Sequence, residues 1–138
     1  MKEKKEIENF RSNCPLSASL DLFGDKWTLL IIRDLIFYKE RTFKDFSLAK
    51  ENISSSRLAD RLSKLEKLNV MTKTNHPTNK KVFIYKLTQK GLDLIPIIAE
   101  FMNWSYVYLN EHVSEKSREI VEAYRKNPKA VLTRFKQQ

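Results

Sequence analysis

Hydroxyl and basic side chains are concentrated on one side of an amphipathic stretch between residues 54 and 68. Ser54 opens this stretch and predicts a helix N-cap, because its hydroxyl can accept a hydrogen bond from a backbone N–H group of the first turn. The leucines recur at helical spacing and predict one buried stripe, formed by Leu58, Leu62, Leu65 and Leu68. The opposite face of the helix carries Ser55, Ser56, Arg57, Arg61, Lys64 and Lys67.

These side chains are suited to contacts with the major groove of DNA. Serine hydroxyls can reach phosphates or base edges there, and an arginine can bind guanine through two hydrogen bonds. The alternative is an ordinary surface helix with a solvated basic face, since such faces are common. The elements around the helix distinguish the two interpretations.

Three helices are predicted before this one. The first begins at Cys14-Pro15 and ends at Gly24, because proline favours the first helical position and glycine favours a helix end. Asp25 can cap the second helix, KWTLLIIRDLIF, and Thr42 can cap the third, TFKDFSLAKE. In the second helix the residues expected to point inward are Trp27, Leu30, Ile31 and Leu35. The third helix and the basic fourth helix, joined by a brief loop, predict a helix-turn-helix.

A β-hairpin is predicted after the basic helix. Residues 70–74 and 82–87 read as strands, and the segment from His76 to Lys81 contains the Pro and Asn of a turn. A helix-turn-helix followed by such a hairpin is a winged helix, and Lys80 and Lys81 at its tip are placed to meet phosphates beside the groove. His76 could ligate a metal, but it has no partner, and we interpret it as a wing residue.

A long apolar helix is predicted over residues 91–113, with a kink or break at Pro96. It is apolar over more of its circumference than a small monomer can cover, and reading two DNA half-sites needs a pair of recognition helices. We therefore predict a homodimer built on this helix, with help from the N-terminal one. The alternative is burial within the chain, against a helical segment over residues 115–135. The predicted dimer contacts are Leu92, Ile95, Ile98, Met102, Tyr106 and Leu109.

Charge is distributed unevenly along the 138 residues. The net charge is +9, and residues 57–90 hold nine Lys/Arg and two Asp/Glu, whereas the segment on either side has a net charge of +1. This concentration is the pattern expected of a surface that binds a polyanion. A membrane surface would also attract this charge, but the segment contains no aromatic amphipathic helix that could insert into it.

Composition narrows the class of protein. The length suits one domain over residues 1–138, with a core at 14–106 and a C-terminal helical extension at 111–138. Because no apolar run reaches transmembrane length and no signal-peptide core is present, we expect a cytoplasmic protein. The single cysteine excludes an internal disulfide framework and a Cys-rich zinc site. Neither paired carboxylates, a Ser-His-Asp set nor metal-ligand spacing is evident, so we expect no enzyme activity, no metal and no cofactor.

Four stretches of the sequence, each a weak signal alone, are together specific for one protein family. They are Cys14–Leu16 with Leu22–Ile31, Arg41–Phe46, Ile53–Leu58 with Arg61-Leu62 and Leu65-Glu66, and Tyr85–Thr88 with Gly91. With these stretches the chain resembles the HxlR family of bacterial winged-helix transcriptional regulators. The resemblance implies a mainly α fold, a winged helix-turn-helix with a two-stranded wing and flanking N- and C-terminal dimerisation helices. It also implies a homodimeric repressor or activator that binds a palindromic double-stranded DNA site. The lysine-rich wing and residues 111–138 depart from the family pattern.

The resemblance also directs attention to Cys14. In several relatives a cysteine just before this proline acts as a thiol sensor for electrophiles or oxidants. The position permits this role, because backbone N–H groups and the helix dipole favour a thiolate and Arg11 could add to the effect. The alternative is an inert, buried cysteine. With one thiol per chain, sensing requires an intersubunit disulfide, a mixed disulfide with a small thiol, or alkylation.

Two functional classes remain open at this stage. The first is a sequence-specific DNA-binding regulator that uses Ser54, Ser55, Ser56, Arg57 and Arg61 in the major groove and Lys64, Lys80 and Lys81 on phosphates. The second is a winged-helix protein-interaction module whose basic face meets an acidic partner, with an RNA-binding winged helix as a minor variant. A small-molecule effector could occupy an aromatic pocket at the dimer interface.

Overall fold

The structure is a computed structural model and describes residues 9–137. It divides into two compact units, the first ending at Thr88 and the second beginning at Gln89. The sequence-based boundary, a core at 14–106 followed by an extension, does not coincide with this division.

The first unit contains the winged helix predicted from the sequence. Its described elements are α1 (Pro15–Phe23), α2 (Thr28–Tyr38), β1 (Arg41–Thr42), α3 (Phe43–Ser47), α4 (Ser55–Lys67), β2 (Met71–Asn75) and β3 (Phe83–Leu87). The mainly helical fold with a hairpin wing is confirmed. One element, the two-residue strand β1, was not predicted from the sequence.

Local capping sets the helix ends in this unit. Asp25 Oδ1 accepts hydrogen bonds from the backbone N–H groups of Trp27 at 2.9 Å and Thr28 at 3.0 Å. Thr42 and Asp45 form a capping box, in which each side chain accepts the other residue's backbone N–H. At the end of α4, Asn69 adopts a left-handed conformation with φ of 58°. The caps predicted at Asp25 and Thr42 are therefore present.

The three strands form an antiparallel sheet in the order β1-β3-β2. The wing strands pair from Met71 opposite Leu87 to Asn75 opposite Phe83. On its other edge β3 pairs with β1, where Arg41 lies opposite Tyr85. The central position of β3 joins the wing to the segment that leads into α3.

The core of this unit lies between the helices and the sheet. Phe46 and the α4 leucines are buried, and the Phe46 ring contacts that of Tyr85 edge-on, with ring centroids 6.0 Å apart. Of the α2 residues predicted to point inward, Ile31 and Leu35 are buried. Trp27 and Leu30 are only half-buried, and the Lys26 ammonium lies 4.9 Å from the Trp27 ring centre.

The second unit is helical throughout its described residues, 89–137. Its elements are α5 (Gln89–Leu92), α6 (Ile95–Tyr108), a 3-10 turn (Asn110–His112), α7 (Glu115–Lys126) and α8 (Pro128–Lys136). Pro96 lies in the first turn of α6, which confirms the predicted break because proline is accepted there and not in a helix interior. The predicted helix over 91–113 is therefore two helices, and the second ends at Tyr108.

Helix α6 packs against α7 through polar as well as apolar contacts. The Tyr106 hydroxyl donates to Glu122 Oε1 at 3.1 Å, and the Tyr124 hydroxyl donates to Glu100. Val121 and Tyr124 of α7 are buried. Burial within the chain, the alternative to dimerisation, thus accounts for one side of α6.

The six predicted dimer residues fall in different environments. Leu92, Ile95 and Ile98 are buried in the single chain, Met102 and Tyr106 are half-buried, and Leu109 is exposed. The exposed stripe of α6 instead contains Ile97, Phe101, Trp104 and Tyr108. Helix α6 has apolar residues on every side, so periodicity did not tell which side faces the interior. In the part of the chain that the structure describes, no helix has the length and apolar character needed to cross a membrane.

Candidate DNA-binding surface

Helix α4 is fixed by a cap and an apolar stripe. The Ser54 hydroxyl accepts a hydrogen bond from the Arg57 backbone N–H at 3.3 Å. Leu58, Leu62 and Leu65 are fully buried. The cap and the stripe agree with the sequence-based prediction, and they leave the first turn of the helix facing solvent.

The first turn of α4 presents hydroxyls and one arginine. Ser54, Ser55, Ser56 and Arg57 are all exposed, and the Ser54 and Ser56 hydroxyl oxygens lie 3.5 Å apart. Among residues 9–137 we find no acidic partner for the Arg57 guanidinium. This turn therefore offers a cation and three hydroxyls to an external anion or hydrogen-bonding edge.

Arg61 and Lys64 are already engaged within the protein. Arg61 Nε donates to Asp25 Oδ1 at 3.0 Å, and Nη1 contacts Asp60. Lys64 Nζ donates to the Asp21 backbone oxygen at 3.3 Å. The structure thus separates these two residues from the exposed group at the start of α4.

Asp25 is the acceptor on which several donors converge. Burial raises the pKa of its carboxyl, but hydrogen bonds from the Thr28 hydroxyl, Arg61 and the backbone N–H groups of Trp27 and Thr28 outweigh this and lower the pKa to about 2. The same contact raises the pKa of Arg61. The pair therefore stays charged at neutral pH.

The wing tip is organised by His76. Its Nδ1 accepts hydrogen bonds from the backbone N–H groups of Thr78 and Asn79, each at 3.2 Å. Asn79 Oδ1 accepts from the Lys81 backbone N–H at 3.1 Å. Lys80 and Lys81 are exposed. His76 is thus a turn-forming residue, and among the described residues no cluster of three metal-ligating side chains occurs.

An ion pair holds the turn between α3 and α4. The Arg33 guanidinium of α2 binds Glu51 through two hydrogen bonds, of 2.9 and 3.0 Å, and also contacts Asp34. Chiefly through the hydrogen bond from Arg33, the pKa of Glu51 is lowered. Asn52, next in the chain, adopts a left-handed conformation with φ of 57°. The sequence alone carries no signal for the Arg33–Glu51 pair, because its members are 18 residues apart.

Cys14 lies at the N-cap of α1 and is exposed. This exposure contradicts the expectation, under the alternative, that the cysteine is buried. Arg11, which was expected to support the thiolate, pairs with Asp21 through both its backbone N–H and its guanidinium.

Comparison with known proteins identifies the fold family. The model of the HxlR-like helix-turn-helix family matches residues 22–113, from α1 through the wing and α6. The chain belongs to the HxlR family. The matched range includes α3 and α4, and this HxlR-family protein is a transcriptional regulator with a helix-turn-helix DNA-binding fold.

Relatives agree with this assignment. The chain is 30% identical over 128 residues to the HTH-type transcriptional regulator YybR of Bacillus subtilis, covering 92% of this chain and 94% of YybR. It is 32% identical over 93 residues to the HTH-type transcriptional regulator YodB of the same organism, covering 67% of this chain and 82% of YodB.

Two solved structures of YodB extend the comparison to the fold. The reduced form matches with a TM-score of 0.56 at 30% identity, covering 68% of this chain and 92% of that one. The diamide-treated form matches with a TM-score of 0.54 at 30% identity, covering 69% and 94%. One structure is thus of the reduced protein and the other of the diamide-treated protein.

Proposed function

We propose that this HxlR-family regulator binds a palindromic double-stranded DNA site as a homodimer, with the first turn of α4 in the major groove. The observation that carries the proposal is the exposed Ser54–Arg57 turn, which is capped, backed by buried leucines and rich in donors. Arg57 is the base-reading candidate, and the three serines position the helix on phosphates and base edges. Lys80 and Lys81 meet phosphates beside the groove.

Two substitutions separate base reading from phosphate binding. Arg57→Ala should cost about 1–3 kcal/mol of binding energy and relax the preference at one position of each half-site. Lys81→Ala should weaken binding to all sequences alike. It should also reduce the slope of log binding constant against log salt concentration by about one. Lys116→Ala, an exposed lysine of α7, is the matched control and should change neither. Equal losses for Arg57→Ala and Lys81→Ala on every sequence would contradict these roles.

The wild type must first show that it selects a sequence. Duplexes selected from a random pool, and the DNA upstream of its own gene, should bind more tightly than scrambled duplexes at the same salt concentration. If the protein prefers neither the selected duplexes nor the upstream DNA over scrambled duplexes, the DNA-binding proposal fails. A protein-interaction module then becomes the leading interpretation.

The dimer is proposed to form on the exposed stripe of α6 with help from α1. Phe101, Trp104 and Tyr108 are 61%, 56% and 69% exposed, and Leu16 and Leu20 of α1 are exposed as well. An exposed stripe of large apolar side chains on one helix, as on α6, is uncommon on a monomer. Of the six residues first predicted, Leu109 and the half-buried Met102 and Tyr106 remain available to a partner.

Sedimentation tests the dimer. The Trp104→Asp variant should sediment as a monomer at concentrations at which the wild type is dimeric, because it places a charge in the apolar contact. Glu119→Ala, an exposed substitution on α7, should leave the dimer intact. A wild type that is monomeric at all concentrations would exclude this assembly.

Cys14 is proposed as the switch for an oxidant or electrophile. Its exposure and its place at the start of α1 support the proposal, and the YodB structures show that diamide treatment has been applied to a relative. Diamide should weaken DNA binding by the wild type and leave Cys14→Ser unaffected. Equal sensitivity, or none in either protein, would remove Cys14 from the mechanism.

A further inference from the structure

We infer that Arg61 and Lys64 form a clamp between α4 and the end of α1, and that they position the recognition helix without themselves contacting DNA. The inference rests on the proposed function, since it assigns roles within the same surface. It divides the basic face of α4 into a DNA-contacting part, Ser54 to Arg57, and a positioning part, Arg61 and Lys64.

The clamp has two contact points near the end of α1. Asp25 accepts from Arg61 Nε at 3.0 Å, and the backbone oxygen of Asp21 accepts from Lys64 Nζ at 3.3 Å. Asp21 lies in the last turn of α1, where the helix dipole favours a cation such as Lys64. Arg61 and Lys64 are three residues apart on α4 and lie on the same face. Two contacts on one face, beside the buried leucine stripe, resist rotation of α4 about its own axis.

The partner of Arg61 is itself immobilised. Besides Arg61, Asp25 accepts the backbone N–H groups of Trp27 and Thr28 and the Thr28 hydroxyl. Asp25 is therefore fixed to the start of α2 and cannot follow Arg61 toward a ligand. Because Arg61 is bound to a fixed carboxylate, its own position is defined, and this contact constrains the position of α4.

Arg61 is also less available than Arg57. The Arg61 side chain is 24% exposed, and it contacts two carboxylates, Asp25 and Asp60. Turning to a base or phosphate would break the charge-assisted hydrogen bonds that Arg61 makes to both carboxylates. Arg57 carries no such cost, because the described residues provide it with no acidic partner.

A double-mutant cycle tests the clamp. Arg61→Gln, Asp25→Asn and the double variant would be titrated with the selected duplex at a temperature at which circular dichroism shows each of them fully folded. Asparagine at position 25 keeps an oxygen for the α2 cap while losing the charge that binds Arg61. Each single change should lower the affinity about fivefold to tenfold, and the double variant should lose no more than either single variant, since all three break one contact. The preference for particular bases should weaken at several positions of the site together. Loss of one side chain that contacts one base would weaken it at a single position.

Two results would overturn the clamp. If Asp25→Asn binds as the wild type does while Arg61→Gln loses preference at one base position, Arg61 is a reader. If the losses add, the two residues act independently. Asp60→Asn supplies the matched control, because it removes the other carboxylate at Arg61. Coupling of Arg61 to Asp60 and not to Asp25 would assign Arg61 to charge neutralisation and reject the clamp.

Hydrogen exchange without DNA separates this inference from the proposed function. Amide exchange along α4 should accelerate about tenfold in both single variants and no further in the double variant. If the wild type selects no DNA sequence, the proposed function fails while the exchange result still decides whether the clamp exists. Unchanged exchange along α4 in Arg61→Gln would reject it.

Discussion

Removing the charge of Asp25 should destabilise the first unit in a pH-dependent manner. The pKa of this carboxyl is about 2 in the folded protein, against 3.8 for the free side chain. The difference corresponds to at most about 2.4 kcal/mol of stabilisation at neutral pH. The side chain is 27% exposed, and solvent screening reduces the expected value to about 1–2 kcal/mol.

The pH window follows from the direction of the shift. Because the folded pKa lies below the unfolded one, the stabilisation is present above pH 3.8 and is lost as the pH falls through 2. By the linkage relation, the difference between wild type and Asp25→Asn should be about half its neutral value near pH 3 and less than a quarter of it at pH 2.

Urea unfolding followed by Trp27 fluorescence measures this effect. In the Trp104→Phe background Trp27 is the only tryptophan. The Trp27 backbone N–H donates to Asp25, so its fluorescence reports on the surroundings of Asp25. Asp60→Asn is the control, and as an exposed surface pair it should change stability by less than about 1 kcal/mol. A stabilising role for the Asp25 charge would be refuted if Asp25→Asn were as stable as the wild type at pH 7, or if the difference persisted undiminished at pH 2.

Three further predictions concern the backbone and the wing. Gly24→Ala should cost about 1–3 kcal/mol of unfolding free energy, because the added Cβ would overlap the Leu20 carbonyl oxygen that accepts the Gly24 N–H. A thermal unfolding midpoint equal to that of the wild type would show that the backbone moves to remove this overlap at no cost. Asn52→Ala should cost about 1 kcal/mol and Asn52→Gly much less, because φ is 57° there; equal midpoints for the two variants would contradict the strain. His76→Ala should lower DNA affinity a few-fold with little change in overall stability, because it removes the acceptor that orders the wing tip; an unchanged Kd would separate the tip from binding.

Local signals explain what could be predicted from the sequence. The Ser54 cap, the α4 leucine stripe and the Thr42 cap all depend on residues within one or two helical turns, and the structure contains them. Pro96 similarly marked the break before α6.

Contacts between distant residues explain what could not be predicted. Arg61 and Asp25 are 36 residues apart, so a basic helix face alone could not show that one arginine was already paired. Strand β1 consists of two residues, and its pairing with Tyr85 and Ile84 appears only in the folded chain. Ile98 looked like a dimer contact and is buried, because a helix with apolar residues on every side does not indicate which side the rest of the chain will cover.

The central position of β3 has a consequence for insertions and deletions in this protein. Residues added in the loop 77–81 would lengthen the wing without altering either pairing of β3, since loop tips accept insertions readily. One residue added within β3 before Tyr85 would turn every following side chain of that strand to the opposite face. It would displace Tyr85 from Lys73 and from Arg41 at once, and so shift the wing and the segment entering α3 together. Natural length variation in such wings should therefore be confined to the tip.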